Sequence, residues 1–348
     1  MVFGMKSWAA SVGGHAGLRR DAMLNVRGWE AIDAVLKARY GDVERLEWDA
    51  PIAHRPFGMP VPMGQFVTNT IAIYPRDEPV PHWHLIGYAL TAPHEERGYE
   101  FTLRVPRGTE DRQPPNWALF HLENLASYVS KSGNDFRAGH YVEFPDPIDP
   151  DRPDSVIRAG AFVVDPELGG ARTSLGEVEF LQFVGITTDE LHAAQSWNVV
   201  GFVDALAPHL PHLVTDLDRT SLAGLPDVAH TVREGSARDG SGTGFLFFHR
   251  LDADTSDGVA LEFGEQHVPQ LVRVLPARVP HGNQLVLRGP GKPVVLLPGE
   301  EFTHRHTDQA LEITLPDAVS HAIADTVRPA PGTYRIPAAP ALTVTVVP

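Results

Sequence analysis

The sequence contains no cysteine. Disulfides, thiolate metal sites and cysteine nucleophiles are therefore all excluded. It also lacks any apolar run approaching the roughly 20 residues that a bilayer-spanning helix needs. The opening residues carry no continuous apolar core of the kind found in a cleaved secretion signal. Basic residues are few: 44 acidic side chains outnumber 29 basic ones, for a net charge of −15. Such a balance opposes general binding to a phosphate backbone, which requires a basic face. It suits a basic partner, or simply solubility. The expectation is a cytoplasmic protein that binds neither membrane nor nucleic acid. Catalytic signatures are missing as well. No G-x-S-x-G elbow occurs, so a serine hydrolase is unsupported. In RGPGKPV, Lys292 is followed by Pro293 where a phosphate-binding loop needs Ser or Thr.

What is present describes a globular chain with many short elements. Its 348 residues suit two domains, and 43% hydrophobic with 21% charged content excludes disorder. Thirty-one prolines and 31 glycines favour short strands and irregular loops over a helical bundle. A helix is predicted from Gly28 to Tyr40, with Trp29, Ile32, Val35 and Leu36 on one face and Gly41 at its end. Strands are predicted at Gln65–Tyr74, His82–Thr91 and Tyr99–Val105. The last alternates, with Tyr99, Phe101, Leu103 and Val105 opposite Glu100, Thr102 and Arg104. Asn116 is placed as the cap of a helix carrying Leu119, Leu122, Leu125 and Val129 inward. Strands follow at Ala161–Val164 and Val178–Ile186. Thr187 and Glu190 form a capping box. Trp197 reads as a packing anchor beside Asn198, the cap of a further helix built on Val199, Phe202, Val203 and Leu206.

Arg233–Gly244 reads as a Gly/Ser-rich connector or flap before a strand-like Phe-Leu-Phe-Phe, and Asp252–Gly258 as a linker. Beyond it, strands are predicted at Gln270–Leu275, Asn283–Leu287, Pro293–Leu297, Ala310–Leu315 and Thr343–Val347, with a helix at Asp317–Val327. Without repeated βαβ units the fold class is α+β. The expected organisation is a loose tail at 1–22, a domain at 23–251, a linker at 252–265 and a smaller α+β domain at 266–348.

Three stretches carry a resemblance: PHWHLIGYALT (Pro81–Thr91), PPNWALFHLENLASYVSKSGNDFRAGHYV (Pro114–Val142), and TTDELHAAQSWN (Thr187–Asn198). Together they resemble the suppressor-of-fused family, and Leu285–Val319 resembles its C-terminal module. The resemblance implies a two-lobed α+β protein of mixed sheets with flanking helices. Such a protein holds an extended protein or peptide partner as a strand between its lobes. It also implies no enzyme activity and no cofactor. Some bacterial relatives, among which this chain is placed, have been proposed as immunity proteins against polymorphic toxins. By the same resemblance, Tyr128 matches a partner-contacting tyrosine. His140 stands where the family has an important aspartate, and Asp165, beside Val164, falls near its acidic contact. The long insert that separates the lobes in animal members is essentially missing.

Histidine pairs supply the rival reading. His82 and His84 form an H-x-H on a strand, which puts both rings on one face, but Glu95 and Glu96 lie too far along to complete a metal site. His304, His306 and Glu312 resemble a cupin-like three-ligand set with altered spacing, and so the alternative is a metal-dependent enzyme. His192 has no nucleophile near it in sequence, and Asp216 and Asp218 read as a solvated pair.

Overall fold

In the computed structural model, residues 21–49, 70–91, 97–173 and 176–348 are described, with side chains in the first helix from Trp29 onward. The expected tail therefore lies almost wholly outside the described residues, as do the start of the Gln65–Tyr74 strand and the Glu95/Glu96 pair. The chain divides into two units, residues 1–191 with 206–222, and residues 192–205 with 223–348.

The first unit comprises α1 (Asp21–Tyr40), β1 (Leu46–Asp49), β2 (Thr70–Arg76), β3 (His82–Gly87), β4 (Tyr99–Pro106), α2 (Asn116–Ser132), β5 (Tyr141–Glu143), β6 (Ile157–Val164), β7 (Gly170–Thr173), β8 (Gly176–Thr187) and the start of α3 (Thr188–Ser196). Its strands form one eight-stranded sheet in the order β1-β2-β3-β4-β8-β6-β5, with β7 also on β8. Only β4 and β8 run parallel; the other neighbours are antiparallel. Period-2 alternation gives the sheet two faces. On one, Ile73, Leu85, Phe101, Leu103, Phe162 and Phe183 pack with Leu119, Leu122 and Val129 of α2. On the other, Ala72, Tyr74, Ile86, Tyr88 and Phe180 meet Ile32, Leu36 and Tyr40 of α1. Both faces being covered, β3 is buried along its whole length.

The second unit holds the rest of α3, α4 (Val199–Leu206) to residue 205, α5 (Pro226–Asp239), β9 (Phe245–Phe247), β10 (Leu251–Asp254), β11 (Val259–Gly264), α6 (Val268–Arg278), β12 (Leu285–Arg288), β13 (Val294–Pro298), β14 (Thr303–His306), β15 (Leu311–Leu315), α7 (Asp317–Thr326), β16 (Gly332–Arg335) and β17 (Leu342–Val347). A four-stranded sheet, β10-β11-β17-β16, and a five-stranded sheet, β14-β15-β13-β12-β9, share one core with α6 and α7.

Two of the local signals that rest on hydrogen bonds hold. Thr187 Oγ1 accepts from the Glu190 N–H and Glu190 Oε2 accepts from the Thr187 N–H, a reciprocal capping box. Asn198 Oδ1 accepts from the Gly201 N–H at 2.7 Å. Trp197 packs on α5 so closely that a Cβ at Gly235 would lie 2.2 Å from its indole.

Four expectations are corrected. Residues 270–275 are helical, because Val268, Leu271, Val274 and Leu275 face the core at helical spacing; a short apolar run fits either period. Residues 233–239 continue α5, and Ser241 beyond them is buried and bonded to the Gln195 and Arg278 side, which leaves no flap there. Residues 252–265, expected as a linker, include β10 and β11, paired antiparallel around Gly258 at φ 86°. Asn116 is the first residue of α2 and makes no cap; Pro115 precedes it in extended conformation.

Candidate functional site

The polar side of β4 does not face water. Thr102 and Arg104 are fully buried on the α1 face of the sheet, along with His82 and His84 of β3 and Gln182 of β8. Asp165, the first residue after β6, organises them. Its Oδ2 accepts from Thr102 Oγ1 at 2.7 Å, Arg104 Nη1 at 2.8 Å and His84 Nε2 at 3.1 Å. Its Oδ1 accepts from Arg104 Nη2 at 3.0 Å and from the N–H groups of Glu167 and Leu168 at 2.8 and 2.9 Å. Because a carboxylate only accepts, His84 carries its proton on Nε2, and its Nδ1 receives the Tyr40 hydroxyl at 2.7 Å. Glu167 completes the charge balance, taking Arg104 Nη2 at 3.1 Å and Arg76 Nη2 at 3.2 Å.

Titration follows from this packing. Burial opposes ionisation of Asp165, but His84 and Arg104 outweigh it and hold the carboxyl well below the usual range. Burial, aided by the Arg104 charge, pushes His84 down to about 4, so the ring is neutral at physiological pH. Arg104 also donates to Gln182 Oε1, whose Nε2 holds the carbonyls of His212 and Leu213 at 3.0 Å. Those two residues have φ of 50° and 56°, a left-handed pair without glycine. The network thus braces a strained turn and has the character of structural support. His82 donates Nδ1–H to the Val80 carbonyl at 2.7 Å and its Nε2 is buried without a partner among the described residues.

This corrects the expectation for Asp165. The carboxylate meets six donors of its own chain and is 1% exposed, so it presents nothing to a partner. Tyr128 and His140 are placed differently. Tyr128, 47% exposed near the end of α2, packs its ring 5.8 Å from Phe136 and accepts Asn134 Nδ2 at 2.9 Å. His140, exposed and just before β5, has its ring 6.4 Å from that of Phe136. Burial and nearby Arg137 lower its pKa, keeping it neutral at pH 7. The Phe136 ring is anchored on buried Phe162 at 4.3 Å. Structure therefore gathers two of the three candidates on one aromatic shelf beside β5, which bonds only to β6 among the described residues.

The proposed metal set is pulled apart by strand alternation. His304 and His306 pair with Ile313 and Leu311, whereas Glu312 pairs with Arg305 on the opposite face and takes its Nε at 2.6 Å. His306 Nε2 bonds Thr255 Oγ1 at 2.8 Å. Among the described residues no group of three His, Cys, Asp or Glu is arranged to hold a metal. The cupin reading is not supported.

A second free edge was not singled out from the sequence beyond its strand character. β9 bonds only to β12 among the described residues, with Leu246 buried and Phe245 and Phe247 exposed at 50% and 70%. The Phe-Leu-Phe alternation was the available signal.

No helix among the described residues is long and apolar enough to cross a membrane. Residues 67–220 match the model of the Suppressor of fused protein family. The mouse Suppressor of fused homolog is 32% identical over a 233-residue alignment that covers 59% of this chain and 48% of the mouse protein. The chain thus spans about half the length of the curated relatives it matches. The crystal structure of Drosophila Suppressor of Fused aligns with a TM-score of 0.72 at 17% identity, over 92% of this chain and 96% of that one. The structure of the Sufu–Fu complex aligns at 0.51 and 23% identity, over 59% and 97%. With its α+β mixed sheets and a family match that spans β2–β8, the chain is similar to suppressor-of-fused proteins over residues 67–220 and shares the fold of the Drosophila protein.

Proposed function

We propose that this chain is a non-enzymatic binding protein that sequesters a protein partner by taking an extended segment of it as an added strand on a sheet edge. The observation that supports this most is the Tyr128–Phe136–His140 shelf beside β5, a strand that pairs with β6 alone among the described strands. Unpaired backbone groups on an edge supply sequence-independent hydrogen bonds, and side chains beside it select the segment. Tyr128 offers an aromatic face, and His140 a neutral ring nitrogen that donates or accepts. The β9 edge, with Phe245 and Phe247, has the same physical character in the second unit. The existence of a Sufu–Fu complex agrees with partner binding in a relative.

The experiment is capture on the immobilised full chain, followed by Tyr128→Ala and His140→Ala variants and amide exchange. Partner-dependent protection of residues 141–143 or 245–247, with loss of the partner from the variants, supports the reading. Retention of all captured proteins by both variants, without new protection at either edge, sinks it. A toxin-neutralising role is the finer form of this proposal: co-expression would then restore growth to cells producing the captured protein.

A further inference from the structure

The β9 edge differs from an ordinary hydrophobic edge in one respect. Such edges are normally blunted by charge, proline or a covering element, because exposed strands invite pairing. Here Phe247 is the most exposed large apolar side chain among the described residues, at 70%, and Phe245 follows at 50%. Arg288 on β12 is the register partner of Phe247, and its guanidinium lies 5.5 Å over the Phe245 ring. Arg288 is exposed, and no carboxylate of the described residues is paired with it. The neighbouring cation Arg250 is already neutralised by Asp252 and Glu262.

We infer that the β9 edge selects an extended partner segment carrying a carboxylate, with Arg288 as the residue that reads it; this rests on the strand-addition reading above. Geometry sets the position. Adjacent strands lie about 4.8 Å apart, so an added strand sits roughly 10 Å from β12, too far for a short contact between backbones. By leaning over Phe245, however, Arg288 carries its charge onto the intervening strand, within reach of an Asp or Glu opposite Phe245. Phe247 then covers an apolar residue two positions along on the same face, since the side-chain period is two. The guanidinium's fork of donors suits a carboxylate, and stacking on an aromatic ring holds it ready for that contact. The net charge of −15 does not forbid this. At physiological salt, exposed charges beyond about 8 Å are largely screened, and the local cation dominates.

A random heptapeptide display library panned on the full chain tests the inference, with Arg288→Gln and Phe247→Ser chains panned in parallel. Both substitutions are at exposed positions, and an unchanged melting temperature confirms folding. Expected is enrichment of Asp and Glu at one position, roughly threefold to tenfold over the input, as for a modestly strong surface ion pair. That enrichment should vanish on Arg288→Gln while apolar enrichment remains, and both should fall on Phe247→Ser. Enriched peptides without an acidic excess, or an acidic excess that survives Arg288→Gln, overturn the inference and leave strand addition standing. If no peptide is enriched over background on the unaltered chain, strand addition at this edge fails along with it.

Discussion

At the scale of single residues, this chain separates charge that supports the fold from side chains left available to a partner. Asp165 belongs to the first kind. Removing it strands a fully buried Arg104, and breaking a buried pair on one side costs about 3–5 kcal/mol. Asp165→Asn should therefore lower stability by that order in denaturant unfolding. An unchanged unfolding midpoint with loss of partner binding would reassign the carboxylate to recognition. His121 gives the cleanest pH effect. Burial alone pushes it down to about 4, and its Nε2 has no partner among the described residues. With a folded pKa below the unfolded value near 6.5, its contribution is fully present above pH 6.5. It is lost as the pH falls towards 4, by about 3 kcal/mol. His121→Leu, which keeps the packing against Phe183 and Phe144, should lessen the slope of stability between pH 6.5 and 4, a slope that His82 and His84, also pushed down to about 4, share. An unaltered slope would show that the ring is not the titrating group. By contrast, replacing Tyr128 or His140, both on the surface, should leave the melting temperature within a degree or two while weakening the partner.

At the scale of elements, the Thr187/Glu190 and Asn198 signals were legible because they close hydrogen bonds within a few residues, whereas the expected Asn116 cap does not form. In the Thr187/Glu190 capping box, Thr187→Ala should cost about 1 kcal/mol, read as a shift in unfolding midpoint. A loss below a few tenths would mean that packing of Arg219 on Glu190 holds the turn without the cap. Period alone was less decisive. Residues 270–275 carry too few apolar positions to distinguish a strand from the inner face of α6. Alternation, once the pairing is known, is decisive: the register of β14 on β15 turns Glu312 away from His304 and His306. Accordingly, protein purified without a histidine tag should hold no stoichiometric zinc, iron or manganese, and His304→Ala should leave the metal content and melting temperature unchanged. Bound metal lost in that variant would reverse this conclusion. Close approach is a further element-scale constraint that no pattern announces. A Cβ at Gly160 of β6 would fall 1.9 Å from the Phe183 ring, so Gly160→Ala should cost about 1–3 kcal/mol through overpacking.

At the scale of the whole molecule, composition suits a basic partner or simply solubility, while the β9 edge carries a guanidinium with no carboxylate partner among the described residues. Net charge sums over the entire surface, whereas recognition samples a few ångströms. Binding that weakens between 50 and 300 mM salt at the wild-type edge, and no longer does so with Arg288→Gln, would place the interaction there. What the chain determined by itself were its class, its resemblance to suppressor of fused in three stretches, and two elements whose bonds close locally, the Thr187/Glu190 capping box and the Asn198 cap. Those depend on neighbours in sequence, so a sequence displays them. Only the tertiary structure decided that Asp165 turns inward to meet Arg104 and His84 while Tyr128 and His140 stay exposed around Phe136. The physical reason is that burial and pairing come from residues tens of positions away, and no spacing along the chain records which face of a sheet another element will cover.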